Sequence, residues 1–465
     1  MKIERVTLIE PKSSSFNIYT GTKILRLGLP IISSILKEMR IESKIYYEEI
    51  SEIDWEEIKK SDLVGISTIT STSNEAYQIS DRVKSLGIPV VMGGAHVTFL
   101  PDEALEHCDF VIRGEGEETI RELISALRND GTLETIKGLS YKNELGRIVH
   151  NPLRPLITDL DKIPSPDFSS IVNFKKIHTI PVYFSRGCPY LCEFCSVTSL
   201  FGRKIRIRNI ENVISDIKKF YPERKNFFFI DDNFVIDPEK TKELLKKIKE
   251  ENLKIKWSAQ IRVDAAKDEE LLKIMKESGC VFVYVGFESI NPESLKGVKK
   301  NQLVSEYKNT VKKLRRHKIN VHGMFVFGFD EDDESIFSKT LKYVLKIKMT
   351  TIQFLILCPI PGSNLYKILK ERARILSSAW NRYDGHFVVF KPLKVSAYKL
   401  QTETIKAMKK FYSLPQIIKL FLKIRFSKNY FTTIFLRIYG NILVRKWIRN
   451  DLNKNYIKHL KESSS

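Results

Sequence analysis

Phe184-Ser-Arg-Gly-Cys188-Pro-Tyr-Leu-Cys192-Glu-Phe-Cys195 places three cysteines within eight positions, directly after an apolar run, Pro181 to Ser185, that reads as a β-strand. Six cysteines in 465 residues are too few for a disulfide scaffold, so a reduced compartment and a metal site fit this spacing best. A four-iron cluster normally takes four thiolates. Three close ligands leave one iron open to an outside chelator. A zinc site would want a fourth ligand. Cys108, Cys280 and Cys358 lie far off in sequence, the last two in apolar strand contexts where a buried structural thiol is the default. The spacing favours the cluster.

Downstream, further strand-like runs follow at Asn226 to Ile230, Lys254 to Gln260, Val281 to Phe287, Asn320 to Phe327 and Thr351 to Leu357. Helical patterns near Ile210, Pro238, Glu269, Val304 and Ser335 separate them, each long enough to cross over. Six βα units predict a barrel-like parallel sheet. Ser258, Gln260 and Arg262 alternate along the third strand and share one face.

Upstream, strands are expected at Ile3 to Ile9, Ser43 to Tyr47, Leu63 to Ser67, Pro89 to Met92 and Phe110 to Ile112. Helical segments lie between them, so a doubly wound α/β domain precedes the barrel. Ligands of such sheets sit beyond the carboxyl ends of the strands. Here those ends carry Ser67-Thr-Ile-Thr-Ser-Thr-Ser73, Gly93-Gly-Ala-His96 and Gly114-Glu-Gly-Glu117. The glycines are equally compatible with tight strand-to-helix turns.

The CxxxCxxC loop after a barrel strand, with the aromatic Phe194 before its last cysteine, resembles the radical SAM superfamily. That resemblance implies a [4Fe-4S] cluster on Cys188, Cys192 and Cys195, with S-adenosylmethionine (SAM) on the open iron. Reductive cleavage would then give a 5′-deoxyadenosyl radical. It extends to Phe229-Ile-Asp231-Asp232-Asn233-Phe234, Gly286-Phe287-Glu288-Ser289, Gly323-Met-Phe-Val-Phe-Gly328 and Pro359-Ile-Pro-Gly-Ser363. By the same resemblance Phe194, Asp231, Asp232, Glu288, Ser289, Gly323 and Gly328 are the expected SAM-side residues; Asp231 and Asp232 also suit a helix cap.

The preceding Rossmann-like domain resembles that of the cobalamin-binding radical SAM class. Ser67, Thr68, Ser71, Gly93, Gly94, His96, Gly114, Glu115, Gly116 and Glu117 are the residues expected to meet cobalamin. The Asp-x-His-x-x-Gly motif that supplies a cobalt ligand in other B12 proteins is absent. The fold class is therefore α/β: a Rossmann-like cobalamin-binding-type domain (residues 1–150), a linker (151–178), a partial (β/α)6 radical SAM barrel (179–363) and a helical, basic C-terminal region (364–465).

Composition is that of a globular protein, with 43% hydrophobic and 29% charged residues and a net charge of +21. Residues 391–465 hold seventeen Lys or Arg against Glu403, Asp451 and Glu462. Between 411 and 450, Lys419, Lys423, Arg425, Lys428, Arg437, Arg445, Lys446 and Arg449 interleave with Phe421, Phe426, Phe431, Phe435, Tyr439 and Trp447, with no acid. That pattern favours an interfacial helix on an anionic membrane over a nucleic-acid groove. No secretory signal or membrane span is read, which points to a cytoplasmic enzyme, peripheral on the membrane.

Trp380-Asn-Arg-Tyr383-Asp384-Gly385-His386 and Val388 to Pro392 look like the C-terminal element of class members that modify hydrophobic substrates: hopanoid methylases, anaerobic magnesium-protoporphyrin ester cyclases and archaeal tetraether-lipid synthases. The leading expectation is C-C bond formation on an archaeal-type membrane lipid, fed by a reductant such as ferredoxin or flavodoxin. The alternatives are a cobalamin-dependent C-methyltransferase or oxidative cyclase on another small molecule and, from a different class, a nucleic-acid-binding iron-sulfur or zinc protein.

Overall fold

The computed structural model describes residues 2–14, 23–129, 131–422 and 428–462. Lys423, Arg425 and Phe426 of the basic tail lie outside the described residues. The first sheet contains β1 (Arg5–Glu10), β2 (Glu42–Tyr47), β3 (Leu63–Ser67), β4 (Val90–Gly93), β5 (Phe110–Ile112), β6 (Leu139–Lys142) and β7 (Ile148–His150). Their spatial order is β2-β1-β3-β4-β5-β6-β7. The first five are parallel, and β6 and β7 add an antiparallel edge.

One face of this sheet packs Leu8, Ile35, Ile120 and Leu123 together, and the other packs Ile9, Val64, Ile66, Val83 and Met92. Helices cover both faces, which is why the strands read as unbroken apolar runs. The edge hairpin escaped sequence reading because β7 carries exposed Ile148 and polar neighbours and so shows no apolar alternation.

The linker is packed rather than free. Leu160, Ile163, Phe168 and Ile171 are buried in the first domain's core, and Ile45 exchanges backbone hydrogen bonds with Ser170 and Val172 across the sheet edge. Its prolines remove donors without removing apolar side chains.

The second sheet uses β8 (Thr179–Val182), β11 (Asn226–Phe229), β12 (Lys256–Ile261), β13 (Cys280–Glu288), β14 (Asn320–Phe327) and β15 (Thr351–Ile356), all parallel and neighbouring in chain order. Such sequential winding makes a partial barrel. Its first strand stops at Val182. The chain then leaves the sheet, and β9 (Ser185–Arg186) pairs instead with β10 (Arg206–Ile207) in a two-stranded ribbon. In β12 the buried Trp257, Ala259 and Ile261 alternate with the half-buried Ser258 and Gln260, which take the opposite, interior face.

The C-terminal helices clamp the barrel. The Tyr412 hydroxyl accepts from Ile352 N at 3.0 Å and donates to Ile352 O at 2.6 Å. Arg437, expected on a membrane-facing surface, points inward. It donates to the carbonyls of Met349 and Thr350 at 2.7 Å each and to Phe411 O at 3.1 Å, with its guanidinium 3.5 Å above the Phe411 ring. Trp447 is likewise buried, edge-on to His386. The loose backbone carbonyls at the barrel edge need donors, and an arginine supplies several at once.

Candidate active site

The cysteine loop leaves the β9/β10 ribbon at Gly187, whose φ of +95° brings its α-carbon against the chain; a Cβ there would lie 2.3 Å from Lys204 O. Cys188 N donates to Gly202 O and Cys195 N to Cys192 O, so two of the three cysteines are fixed through their backbone amides. Glu193 anchors the loop's outer side, pairing with Lys299 at 2.5 Å and accepting from Asn364. All three thiols are half-buried. Burial raises each of them, Cys195 to about 12, and the neighbouring cysteines raise Cys192 and Cys195 further, while Lys300 and Arg262 pull Cys188 and Cys192 down. Thiolates crowded in this way require a multivalent cation to stay ionised. Among the described residues no three His, Cys, Asp or Glu converge on a single-ion site. A cubane binds each thiolate at a separate iron and needs no such convergence.

Glu288 stands at the end of β13 with φ of +58°, where the register to β14 slips by one residue. Its carboxylate pairs with the buried Lys300 at 2.7 Å. A Cβ at Gly286 would sit 2.5 Å from that carboxylate, so the glycine leaves room for the Glu288 side chain to fold back toward Lys300. Lys300 Nζ also lies 6.0 Å from the Phe194 ring centre. Phe194 and Glu288 share the wall of a cavity of about 570 Å³ with Ser71, Met324, Leu357 and Asp384.

Asp231 is consumed by the backbone. It accepts from Phe184 N at 3.0 Å, from Ser185 N at 2.5 Å and from the Ser185 hydroxyl at 2.6 Å, clasping the strand that leads to the cysteines. Burial lifts its carboxyl to about 6 despite those bonds. Asp232 opens onto a second cavity and is also lifted to about 6, by desolvation and by the charge of Asp231.

Three expected SAM-side residues do other work. The Ser289 hydroxyl accepts from Asn291 N, Gly323 admits Met349 and Phe325 at 3.1 Å from where a Cβ would be, and Gly328, with φ of +104°, sits against Leu400. None of the three lines either cavity.

The second cavity, about 580 Å³, lies at the carboxyl edge of the first sheet and faces the cysteine loop. Ser67, Thr68, Gly93, Gly94, Gly114, Glu115, Gly116 and Glu117 line it, with Leu200, Phe201 and Asp232 opposite. A Cβ added at Gly93 or Gly114 would project into open space, whereas one at Gly94 would strike Thr68 O at 2.4 Å. This is a backbone cradle wide enough for a large ligand.

His96, expected to meet cobalamin, is fully buried and outside the linings of both cavities, 3.3 Å from Thr70 Oγ1 and from Glu103 Oε1, and edge-on to Trp380. The short helix Ala95–Phe99 turns it inward.

Sequence reading missed Arg186 and Arg206, although Arg186 stands inside the decisive stretch. Arg186 donates to Glu115 at 2.9 Å and to Glu117 at 2.7 Å, and Arg206 donates to both oxygens of Glu115 at 2.9 and 2.7 Å. Burial alone would raise Glu115, but the two guanidiniums outweigh it and hold the carboxyl below its usual range. Lys300 was missed as well, because a lysine in a Lys299-Lys300-Asn-Gln turn carries no local sign of facing Glu288.

A parallel barrel presenting a three-thiol loop to the ligand edge of a doubly wound domain defines a class of redox enzyme that splits a bound cofactor. Residues 182–344 match the radical SAM superfamily domain, and residues 17–124 match the B12 binding domain. An uncharacterized methyltransferase of Pyrococcus horikoshii is 32% identical over 90% of this chain and 94% of its own length. The bacteriochlorophyllide d C-12(1)-methyltransferase of Chlorobaculum tepidum is 30% identical over 89% of this chain and 88% of its own. The radical SAM methyltransferase TsrM of Kitasatospora setae, solved with tryptophan and a SAM analogue, shares the fold with a TM-score of 0.73 over 99% of this chain and 100% of its own, at 16% identity. The chain belongs to the radical SAM superfamily, in the branch with an N-terminal B12-binding domain. Its cofactors are a [4Fe-4S] cluster, SAM and cobalamin.

Proposed function

We propose that this protein is a cobalamin-dependent radical SAM methyltransferase acting on a carbon of a small, largely apolar molecule. The observation that carries the reading is the contiguity of the two cavities: Ile24, Leu25, Arg26 and Ile69 line both, so the B12-type cradle and the chamber at Phe194 and Glu288 share one wall. This reverses the order expected from sequence, where lipid C-C coupling led. The Pyrococcus horikoshii and Chlorobaculum tepidum relatives are both named as methyltransferases, although magnesium-protoporphyrin cyclases match as well, and no relative is named for a tetraether lipid.

When bound, the cluster delivers one electron for SAM cleavage and cobalamin carries the methyl group. The chain supplies the geometry. Cys188, Cys192 and Cys195 would hold three irons, and Lys300 pairs with Glu288 at the chamber wall. Asp231 fixes the approach to the loop. Ile69, Met324, Val326, Leu355, Leu357 and Ile360 would exclude water along the apolar side of the chamber, with Ser71, Glu288 and Asp384 as polar contacts on its wall. A one-electron donor such as ferredoxin or flavodoxin would feed the cluster.

Anaerobic reconstitution with hydroxocobalamin, SAM and a strong reductant tests the reading. The expected products are S-adenosylhomocysteine and 5′-deoxyadenosine together; 5′-deoxyadenosine alone would return cyclisation or coupling to first place.

A peripheral membrane contact is the second reading. In the helix Lys428–Arg449, Phe431, Phe435, Ile438 and Ile442 recur at helical spacing and are each more than 40% exposed, joined by Leu414 and Ile418 of the preceding helix. Exposed Lys419, Arg445, Lys446 and Arg449 flank them. Among the described residues no helix is long and apolar enough to cross a membrane. Such a face suits shallow insertion into an anionic bilayer. Pelleting with phosphatidylglycerol vesicles should be lost in a Phe435→Asp, Ile442→Asp variant; retention would remove this reading.

A further inference from the structure

The four charges between the domains form a closed group. Glu115 and Arg206 have side chains 2% and 3% exposed, and Glu117 and Arg186 9% and 13%. Glu115 also accepts from Ile157 N at 2.8 Å, while Arg206 donates to Ile157 O at 2.6 Å and to Phe201 O at 2.9 Å. The packed linker and the helix after the cysteines are thereby drawn into the same network. Two acids and two arginines balance, so no net charge is buried. A group of this kind is a poor source of stability, since well-packed apolar side chains of similar volume would often serve as well or better. What it provides that they would not is a single register between the parts it joins.

Those parts are the two cofactor loops. Glu115 and Glu117 sit on the turn that lines the B12-type cradle, and Arg186 precedes Cys188 by two residues, between the Asp231 clasp and Gly187. We propose that Arg186, with Glu117, Glu115 and Arg206, is a positioning pin that sets the distance and tilt between the cobalamin cradle and the cluster loop. This rests on the methyl-transfer reading for its consequence, though not for its geometry.

The consequence follows from what each product requires. S-adenosylhomocysteine is SAM less a methyl cation, and it forms only where a methyl acceptor reaches the sulfonium. 5′-Deoxyadenosine and methionine form from SAM with one electron from the cluster and one hydrogen atom from substrate or solvent, with no demand on the cradle. Loosening the pin should therefore separate the two.

The test is the Arg186→Met, Glu117→Gln pair in the full chain. It removes one cation and one anion and leaves the Glu115 and Arg206 pair intact, so no buried charge is stranded. Iron content and the electron paramagnetic resonance signal of the reduced cluster with SAM should match the parent. The expected result is at least tenfold weaker binding of hydroxocobalamin and at least a tenfold rise in the ratio of 5′-deoxyadenosine to S-adenosylhomocysteine. Arg186→Lys, which keeps the charge, should recover part of both.

If the two products fall together at constant ratio, or if cobalamin binding is unchanged, the pin is only structural and the proposal is overturned. Should the parent itself make no S-adenosylhomocysteine, the methyl-transfer reading fails instead. The pin then stands or falls on cobalamin binding alone.

Discussion

The two main sheets face each other with their ligand edges, yet they build those edges from different material. The first makes its cradle from backbone, with Gly93, Gly94, Gly114 and Gly116 clearing space beside Ser67 and Thr68. The barrel makes its mouth from side chains held under constraint: three half-buried thiols, a left-handed Glu288 on a buried lysine, and an Asp231 that spends every bond on the preceding strand. A backbone cradle suits a large ligand gripped over its whole surface. A side-chain mouth suits a small reacting centre whose charge must be controlled.

The largest break in this contrast is Cys192→Ala, which should abolish 5′-deoxyadenosine formation while leaving hydroxocobalamin binding within about twofold, because the cradle contains no thiol; each 1.4 kcal/mol would be tenfold. Retained SAM cleavage would remove the cluster assignment. Lys300→Met comes next. It strands the buried Glu288 carboxylate, an effect on the order of 3–5 kcal/mol in unfolding free energy. Lys240→Met on the surface should leave the unfolding free energy nearly unchanged. Chemical denaturation of the apoprotein would compare them, and equal losses would show that the mouth is not held by charge.

On the cradle side, Gly94→Ala places a Cβ against Thr68 O at φ of +106°. The combined strain and overlap should cost about 1–3 kcal/mol and weaken cobalamin binding without changing the cluster's spectrum. A spectrum altered as much as the binding would erase the distinction between the two edges.

The smallest effect is in pH. Asp232 titrates at about 6 in the folded chain against an ordinary value of 3.8, so its contribution is fully present below about 3.8 and is lost as pH rises through 6. Because Asp232 is open to cavity water, the cost is discounted to about 1 kcal/mol. Asp232→Asn should match the parent's thermal midpoint at about pH 3.5 and exceed it slightly at pH 7.5. A constant difference across that range would mean the carboxyl is not raised.

Much of the barrel was legible in advance because its signals are local. Asn320–Phe327 is found where the apolar run predicts, and the other barrel strands differ from expectation by one or two residues at their ends. The exception, β8, ends three residues early because β10 offers Ser185 and Arg186 a better partner than the sheet does. His96 and Arg437 looked like a cofactor contact and a surface cation, since composition shows a residue's chemistry and not the direction in which its helix turns it. Both are buried.

By itself the sequence determined the two parallel sheets, their order along the chain and the three-thiol loop between them, because hydrophobic period and close ligand spacing are properties of neighbouring residues. The tertiary structure alone decided which charges meet. Glu115 and Arg186 lie 71 positions apart and Glu115 and Arg206 lie 91 apart. A buried ion needs its counterion wherever the fold can bring one, and no local pattern records that choice.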